Sequence, residues 1–328
     1  MEQRKLGTQG LTVSAEGLGC LGMSAFYGPS DEAENIATLH RAIELGVTLF
    51  DTAEIYGPFK NEILLSKALK GKRDKVLIAT KVGSEVTDDG ERKAVNGRPE
   101  YIKKAIDRSL KHLNTDHVDL YYLHRIDPKV QIEDSIGALS DLVHAGKVRF
   151  IGVSEAAPAT IRRAHKTHPL SALQTEYSLF ERGPENNDVL DTVRELGIGF
   201  VAYSPLGRGF LSGAIKTVED LPADDFRRGD PRFGGANFAR NLALVDAIER
   251  LAKTKGITAS QLALGWVLQQ PGVVAIPGTR RIKYFEENVG AADVRFTATE
   301  LAALDSIMPA GVVAGERYTP AGMASLNH

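Results

Sequence analysis

Polar side chains stand where most of the apolar runs of this 328-residue chain end. They are Asp51, Lys81, His124, Ser154, Gln174 and the pair Tyr203–Ser204. One such residue means little, because every strand must end somewhere. Six in succession, each following a predicted strand, indicate that several strand ends converge on one site. Tyr56 follows Asp51 closely in the chain and is expected at the same place.

Together these residue types predict chemistry on a carbonyl group. A free tyrosine has a pKa of about 10 and keeps its proton at neutral pH. A charged Lys81 beside Tyr56 would make that proton easier to release, and Asp51 would hold Lys81 charged and oriented. His124 would donate a hydrogen bond to the carbonyl oxygen. Such a set polarises and protonates a carbonyl while hydride arrives from elsewhere.

Each of these residues also has a purely structural interpretation, which the residues alone leave open. Asp51 and Lys81 would then form an ion pair that only stabilises the fold. His124 would be a core histidine with satisfied hydrogen bonds. Tyr56 would be a loop aromatic that closes over the ends of the strands.

The elements that must position these residues alternate along the chain. Eight short apolar runs, many of them β-branched, predict strands at 16–20, 46–51, 76–81, 118–124, 148–154, 170–174, 199–204 and 273–278. Amphipathic helices are predicted between them, as over 99–113, where Pro99 suits the first turn. Gly46, Gly146 and Gly197 predict left-handed helix ends that lead directly into the next strand.

Alternating strands and helices with nearly continuous apolar strands predict a parallel sheet. Eight strands favour a closed (β/α)8 barrel, a TIM barrel with its active site at the C-terminal rim, and leave a doubly wound open sheet as the alternative. We expect one domain over 1–328, with a long loop at 207–238 and a C-terminal tail from about 309. The loop is expected to cover a ligand site, and a surface insertion is the alternative.

A G-x-G-x-x-G pattern at Gly17, Gly19 and Gly22 raises the alternative of a dinucleotide-binding turn. That turn requires a helix directly after the second glycine, because the helix N-terminus holds the pyrophosphate. Here a Gly-Pro break intervenes, and the helix is predicted to begin near Ser30. The pattern therefore fails its structural test, and the glycines are expected to allow close backbone contact beside the first strand.

Composition excludes several classes of function. A formal net charge of −2 gives no attraction to nucleic acid or to an acidic membrane surface. The single cysteine, Cys20, excludes an internal disulfide framework and is expected to be a buried thiol. Neither a signal peptide nor a membrane span of about 20 apolar residues is visible, so we expect a cytoplasmic protein. No metal site is predicted, and monomer and homo-oligomer stay open.

Seven stretches, in this order, resemble the aldo-keto reductase family. They are LFDTAEIYG, LIATK, YYLH, GVSE, QTEYSLFER, AYSPLGRGFLSG and IPGTRRIKYFEENVGA. The resemblance runs from about residue 4 to 310. It is strongest to the branch of bacterial, yeast and plant NADPH-dependent aldehyde and pyridoxal-type reductases. It implies a (β/α)8 barrel that binds NADPH (NADP+) without a dinucleotide-binding domain and reduces a small-molecule carbonyl substrate.

The resemblance also implies roles for individual residues. Tyr56 would be the proton donor, with Asp51, Lys81 and His124 as its partners. Ser154 and Gln174 would contact the nicotinamide carboxamide. The other residues implied to bind the cofactor are Met23, Tyr203 against the nicotinamide ring, Ser204, Leu206 and Arg208 along the pyrophosphate, Gly278, Thr279 and Arg280 at the 2′-phosphate, and Glu287 and Asn288 at the adenine.

Two positions depart from the family pattern. Glu155 stands where many members have asparagine, and a carboxylate accepts a hydrogen bond from the carboxamide nitrogen but cannot donate one to its oxygen. Gly278 stands where many members have lysine, so the grip on a 2′-phosphate would depend on Arg280. Because Arg280 is expected to bind the 2′-phosphate, a preference for NADPH over NADH is predicted.

The predicted function is therefore NADPH-dependent reduction of an aldehyde or ketone. The alternative is a nucleotide-binding, redox-sensing regulatory subunit with little turnover, which a large exposed apolar patch would favour. The substrate pocket would be built by the loops after the first, fourth and seventh strands and by the tail. Phe26, Tyr27, Arg125 and Phe233 are candidates for its lining, and the sequence does not identify the substrate.

Overall fold

A computed structural model describes residues 1–326 and contains a parallel eight-stranded sheet with helices between the strands. The strands are β1 (Leu18–Gly19), β2 (Leu49–Asp51), β3 (Leu77–Val82), β4 (Val118–Leu123), β5 (Val148–Ser154), β6 (Ala172–Glu176), β7 (Gly199–Tyr203) and β8 (Val273–Ile276). Each strand pairs with the next along the chain. The bridges Glu16–Ala275 and Gly19–Gly278 join the first strand to the last. This closure confirms the (β/α)8 barrel and excludes the doubly wound sheet.

Helices follow the strands and form the outer layer. They are α1 (Glu32–Glu44), α2 (Lys60–Ala68), α3 (Pro99–Leu113), α4 (Ile132–His144), α5 (Pro158–Thr167), α6 (Val189–Leu196), α7 (Gly235–Lys255), α8 (Ala259–Leu268), α9 (Ile282–Val289), α10 (Ala298–Ile307) and α11 (Pro320–Met323). The bounds of α3 are those predicted, with Pro99 in its first turn. Gly46, Gly146 and Gly197 all have positive φ, as their position between a helix and a strand requires.

The barrel interior is filled with apolar side chains from the strands and closed at its N-terminal end by a hairpin. The hairpin strands, Gln3–Lys5 and Thr12–Ser14, are antiparallel. Leu6, Leu11 and Val13 from the hairpin pack with interior residues of the barrel in one buried cluster. A second, larger cluster lies between the strands and the helices. The two layers bury apolar surface on both sides of every strand, which accounts for the continuous apolar runs in the sequence.

The segment between β7 and α7 consists of short 3-10 turns that pack on the barrel. Phe210 contacts both Phe233 and Phe238, with ring centroids 4.9 and 5.0 Å apart. An ion pair joins Arg208 to Asp230 inside the segment. These contacts give the segment a core of its own beside the C-terminal ends of the strands.

The G-x-G-x-x-G stretch leads into a single 3-10 turn, Leu21–Met23, and α1 begins only at Glu32, capped by Asp31. A side chain at Gly19 would bring its Cβ within 2.8 Å of the Ile276 carbonyl oxygen. The glycine therefore allows β1 to approach β8 and close the barrel, as the sequence predicted. Within residues 1–326, no helix has the length and apolar character needed to cross a membrane.

Candidate active site

The two-residue alternation of side chains along the strands brings the predicted catalytic and cofactor-binding residues at the strand ends to one place. Side chains two residues apart in a strand point to the same face. Leu49, Ala79, Tyr122, Ala172 and Val201 all lie in the buried cluster inside the barrel. The residues two positions further on are Asp51, Lys81, His124, Gln174 and Tyr203, which continue the same inward rows to the C-terminal rim.

Lys81 is the centre of the site and has no exposed side-chain surface. Its ammonium forms an ion pair with Asp51 Oδ1 and donates to the Thr52 carbonyl at 2.8 Å. It also donates to Tyr56 Oη at 3.2 Å. Burial disfavours the charged amine, but Asp51 and Tyr56 more than offset this cost, and the pKa of Lys81 is raised. The residue is therefore a fixed cation beneath the tyrosine hydroxyl.

Tyr56 is held in the turn after β2 and is almost completely buried. Burial raises its pKa, Lys81 lowers it, and Asp51 raises it, so that the net pKa lies above the usual value. The sequence predicted only the effect of Lys81. The structure shows that burial outweighs it, and the hydroxyl keeps its proton at neutral pH.

The ring of His124 lies beside Tyr56, with centroids 6.0 Å apart and planes at 78°. Burial lowers the pKa of His124 well below its usual value, and Arg125 and Lys81 lower it further. The imidazole is therefore neutral at physiological pH. Its Nδ1 is buried and has no hydrogen-bond partner in the described chain. A neutral ring that holds its proton on Nε2 can donate to an oxygen placed next to Tyr56.

Gln174 and Ser154 extend the site around the rim. Gln174 Nε2 donates to Asp51 Oδ2 at 2.7 Å, so the second carboxylate oxygen of Asp51 is also bonded. Ser154 is buried, and its hydroxyl accepts from Arg125 Nη1 at 3.3 Å. The same nitrogen donates to the carbonyl of His124 at 2.7 Å. Both residues thus lie within one or two hydrogen bonds of the catalytic candidates.

The C-terminal tail reaches the site through Arg317 and Tyr318. The hydroxyls of Tyr203 and Tyr318 are 2.9 Å apart. Arg317 binds both carboxylate oxygens of Glu155 at 2.7 Å, a two-pronged geometry that is among the stronger side-chain contacts. Glu155 has φ of 55° and therefore leaves the regular course of β5. Its carboxylate is committed to the tail rather than free for a ligand.

Buried charges continue along the β7 side of the rim. Glu176, at the end of β6, receives Arg208 Nη2 at 3.0 Å and lies 3.5 Å from Arg232. Arg208 also pairs with Asp230 and lies over the ring of Tyr318, 4.2 Å from its centroid. The guanidinium of Arg208 is therefore already neutralised by two carboxylates.

The backbone beside Arg208 has an unusual conformation. Ser204, Gly207, Arg208 and Gly209 all have positive φ, between 48° and 92°. Within this turn the N–H groups of Gly207 and Gly209 donate to the carbonyls of Ser204 and Leu206, at 2.9 and 3.0 Å. Leu206 lies half-buried within this turn. Met23 is buried after β1, where its carbonyl accepts from Ser30 Oγ at 2.7 Å.

The residues after β8 form a separate basic corner. The guanidinium of Arg280 donates to the carbonyls of Gly28 and Pro29 and has no carboxylate partner in the described chain. Burial lowers the pKa of Arg280, and the neighbouring cations Arg281 and Arg227 lower it further. Arg280 therefore has no direct carboxylate partner among residues 1–326, although Glu34 lies 4.0 Å from Arg281 beside it.

The remaining predicted residues surround this corner. Gly278 bridges to Gly19, and Thr279 is half-buried beside it. In α9, Asn288 is buried, and Glu287 accepts from the Thr258 hydroxyl at 2.7 Å. The structure thus gathers the predicted residues into two groups, a catalytic one inside the rim and a basic one at β8. The roles of these residues in binding stay predictions.

Sequence reasoning missed Glu176, Arg232, Arg317 and Tyr318. The signal for the first was available, because Glu176 is a charged residue two positions after a predicted strand, close to Gln174, which was singled out. A buried carboxylate requires a cation, but the sequence does not show which of 40 basic residues supplies it. Arg317 and Tyr318 lie in a tail without periodicity, so only the folded chain brings them to the site.

Comparison with known proteins agrees with this geometry. Residues 17–309 match the model of the aldo/keto reductase family. A solved glycerol dehydrogenase from Gluconobacter oxydans is 30% identical, with 97% of each chain covered and a TM-score of 0.85. A thermostable aldo-keto reductase solved with the inhibitor epalrestat is 29% identical, with 94% of this chain and 100% of that chain covered and a TM-score of 0.76.

A third similar structure is an aldo/keto reductase from Klebsiella pneumoniae in complex with NADP and acetate. It is 27% identical, with 97% of this chain and 99% of that chain covered and a TM-score of 0.75. The family model covers nearly the whole chain, and the barrel of the similar structures is the one described above. This protein therefore belongs to the aldo/keto reductase family.

Proposed function

We propose that this protein is an NADPH-dependent carbonyl reductase in which Tyr56 protonates the carbonyl oxygen of an aldehyde or ketone. Membership of the family gives an oxidoreductase that acts on carbonyl compounds. The observation that supports Tyr56 as the proton donor is the chain of contacts from Asp51 through Lys81 to the Tyr56 hydroxyl. The neutral His124 ring lies beside this hydroxyl.

The residues present fit NADPH. In the basic corner, the Arg280 guanidinium contacts backbone carbonyls and no carboxylate of the described chain, and a phosphate dianion would neutralise it. The NADP complex of the Klebsiella neighbour agrees with this choice of cofactor. When bound, NADPH supplies the hydride that the protein's own side chains cannot provide.

The side chains perform the rest of the reaction. His124, neutral in its buried position, donates a hydrogen bond to the carbonyl oxygen and polarises the carbonyl. Tyr56, protonated at neutral pH, gives its proton to that oxygen as negative charge develops there. Lys81 stabilises the tyrosinate that remains, and Asp51 with Gln174 keeps Lys81 charged and in place. In the reverse direction Tyr56 takes a proton from an alcohol.

Replacement of Tyr56 by phenylalanine tests the proposal. Loss of the proton donor is expected to lower kcat for 4-nitrobenzaldehyde by about 10³-fold. The dissociation constant of NADPH, measured by calorimetry, should stay near the wild-type value. Tyr177→Phe is the matched control, because its buried hydroxyl binds Glu185 and not Lys81. Wild-type turnover by the Tyr56→Phe variant would refute the assignment.

The regulatory-subunit alternative predicts tight nucleotide binding with little turnover. The intact contact between Tyr56 and Lys81 favours the enzyme, since a binding protein needs no proton donor. Turnover of 4-nitrobenzaldehyde by the wild-type protein separates the two. If NADPH binds tightly but no aldehyde or ketone is reduced, the regulatory role is supported instead.

A further inference from the structure

Arg125 differs from the other arginines that line the rim. Arg208, Arg232 and Arg317 each form an ion pair with at least one buried carboxylate. Arg125 directly follows His124 in the chain. It has no carboxylate within 4 Å in the described chain. Its recorded hydrogen bonds use a single nitrogen, Nη1, and go to the neutral oxygens of His124 and Ser154.

Most of the donor capacity of Arg125 is therefore unused. A guanidinium carries five N–H groups arranged in a planar fork that matches a carboxylate or a phosphate. Only half-buried, Arg125 is open on one side. The groups that act electrostatically on Arg125 include Tyr203, Tyr318, Glu155 and Tyr56. Glu155 is not its hydrogen-bond partner, and both carboxylate oxygens of Glu155 bind Arg317 instead.

The two other ionisable side chains that contact Tyr56 offer no charge to a ligand. Lys81 has no exposed surface and is bonded to Asp51, Thr52 and Tyr56. His124 is neutral. Arg125 is consequently the cation next to this group that keeps free N–H groups, whereas the exposed Arg92 donates to the Ile55 carbonyl at 3.4 Å.

From this geometry we propose that the preferred substrates carry an anionic group, a carboxylate or phosphate, which Arg125 binds while the carbonyl lies at Tyr56. This inference rests on the proposed reductase function and adds the substrate class to it. The anion would replace the weak contact to Ser154 with charge-assisted hydrogen bonds, and it would orient the carbonyl for protonation.

Matched pairs of acid and methyl ester test the proposal. The pairs are glyoxylate, 3-carboxybenzaldehyde and 4-carboxybenzaldehyde, each with its own methyl ester, which sample three separations between carbonyl and charge. We expect kcat/KM for the acid to exceed that for the ester by about tenfold or more in at least one pair. Arg125→Met should bring that ratio to one or below, and Arg125→Lys should restore part of it. Arg162→Gln removes an exposed arginine of α5 that pairs with Glu195, and should leave the ratio as in wild type.

The possible results separate this inference from the proposed function. If the esters are reduced and the wild-type ratio is near one in all three pairs, Arg125 does not select an anion and the inference is wrong. A rise in the NADPH dissociation constant of Arg125→Met, with equal losses for acid and ester, would assign Arg125 to the cofactor and also overturn it. If the wild-type protein reduces 4-nitrobenzaldehyde but none of the six probes, the inference is wrong while the reductase function stands. If it reduces neither, both fail. The wild-type ratio decides the matter even if the variants fold poorly.

Discussion

The two ends of the barrel both bury charged side chains, but they satisfy them differently. At the N-terminal end, Asp119 at the start of β4 accepts from Arg73 at 2.7 Å, from Arg149 at 2.8 Å and from the backbone N–H of Ile78 at 2.9 Å. The C-terminal rim also has paired charges, such as Lys81 with Asp51. There, however, Nδ1 of His124 and most N–H groups of Arg125 have no hydrogen-bond partner in the described chain. The comparison teaches that saturated groups hold the fold together, whereas the unsaturated groups at the rim are available to a ligand.

The position of surface clefts does not match this division between saturated and unsaturated groups. A surface cleft lies at the N-terminal end, lined by Arg73, Asp119, His117, Arg149 and neighbouring residues. Its charged groups bind one another, so the cleft offers few free donors or acceptors. The rim holds the groups that can react. Chemistry rather than size therefore identifies the active site.

Among the variants in this section, Lys81→Met should have the largest effect on activity, because it removes the cation that pairs with Asp51 and donates to the Tyr56 hydroxyl. We expect kcat/KM to fall by about 10²–10³-fold. Without the ammonium, the pKa of Tyr56 should rise further, so in alcohol oxidation the alkaline limb of the pH–rate profile should move to higher pH. Asp51→Asn combined with Lys81→Met controls for the carboxylate left unpaired. An unchanged profile would contradict the role of Lys81.

Glu16 breaks the comparison, since it is an ionisable group without a hydrogen-bond partner in residues 1–326 that lies before β1 and not at the rim. It precedes β1, is fully buried, and neither carboxylate oxygen has a partner in the described chain. Burial raises its pKa to about 8 from 4.5. The folded state therefore favours the protonated acid, and the wild-type protein loses stability as pH rises from 4.5 to about 8.

Glu16→Gln should remove that loss. Between pH 5 and pH 8, the free energy of unfolding of the variant is expected to rise by about 3 kcal/mol relative to that of wild type. A single titrating group can contribute at most about 1.4 kcal/mol per pH unit. Urea unfolding at both pH values measures it. A difference between variant and wild type that does not change with pH would show that Glu16 has a partner or an ordinary pKa.

Asp119→Asn tests the saturated end. Loss of the charge shared by Arg73 and Arg149 should lower the free energy of unfolding by roughly 2 kcal/mol, reduced from the full cost of a buried pair because both arginines are partly exposed. Once the protein is folded, kcat and KM should match wild type. If activity falls without a loss of stability, the proposed division between the two ends is wrong.

Arg280→Ala should have the smallest effect, confined to cofactor choice. The NADPH dissociation constant is expected to rise by about tenfold, equivalent to about 1.4 kcal/mol, while that of NADH changes little. Calorimetric titrations with both nucleotides measure the difference. Equal losses for NADPH and NADH would mean that Arg280 does not bind the 2′-phosphate.

The barrel and the inner group of residues were predictable because strand periodicity is a local signal. An apolar residue that points inward fixes the direction of the residue two positions later, so Asp51, Lys81 and His124 follow from the pattern alone. Helix starts such as Pro99 and helix ends such as Gly146 depend on neighbouring residues only. These features need no knowledge of which distant segments meet.

The rest depends on contacts between distant parts of the chain. The balance of burial and charge that sets the pKa of Tyr56 is invisible until the fold encloses it. The meeting of Glu155 with Arg317 spans most of the second half of the chain and follows no period. The sequence flagged Glu155 as unusual but could not name its partner. The division of the chain into loop and tail, and the oligomeric state, stay predictions.

One practical consequence comes from the thiol beside β1. Cys20 is the single cysteine of the chain, is fully buried, and has a pKa raised by burial, so maleimide reagents should leave the native protein essentially unlabelled. A cysteine introduced at exposed Glu316 would then carry a fluorophore without removal of Cys20. Its emission would report directly on how tightly Arg317 and Tyr318 keep the neighbouring backbone against the rim while ligands come and go.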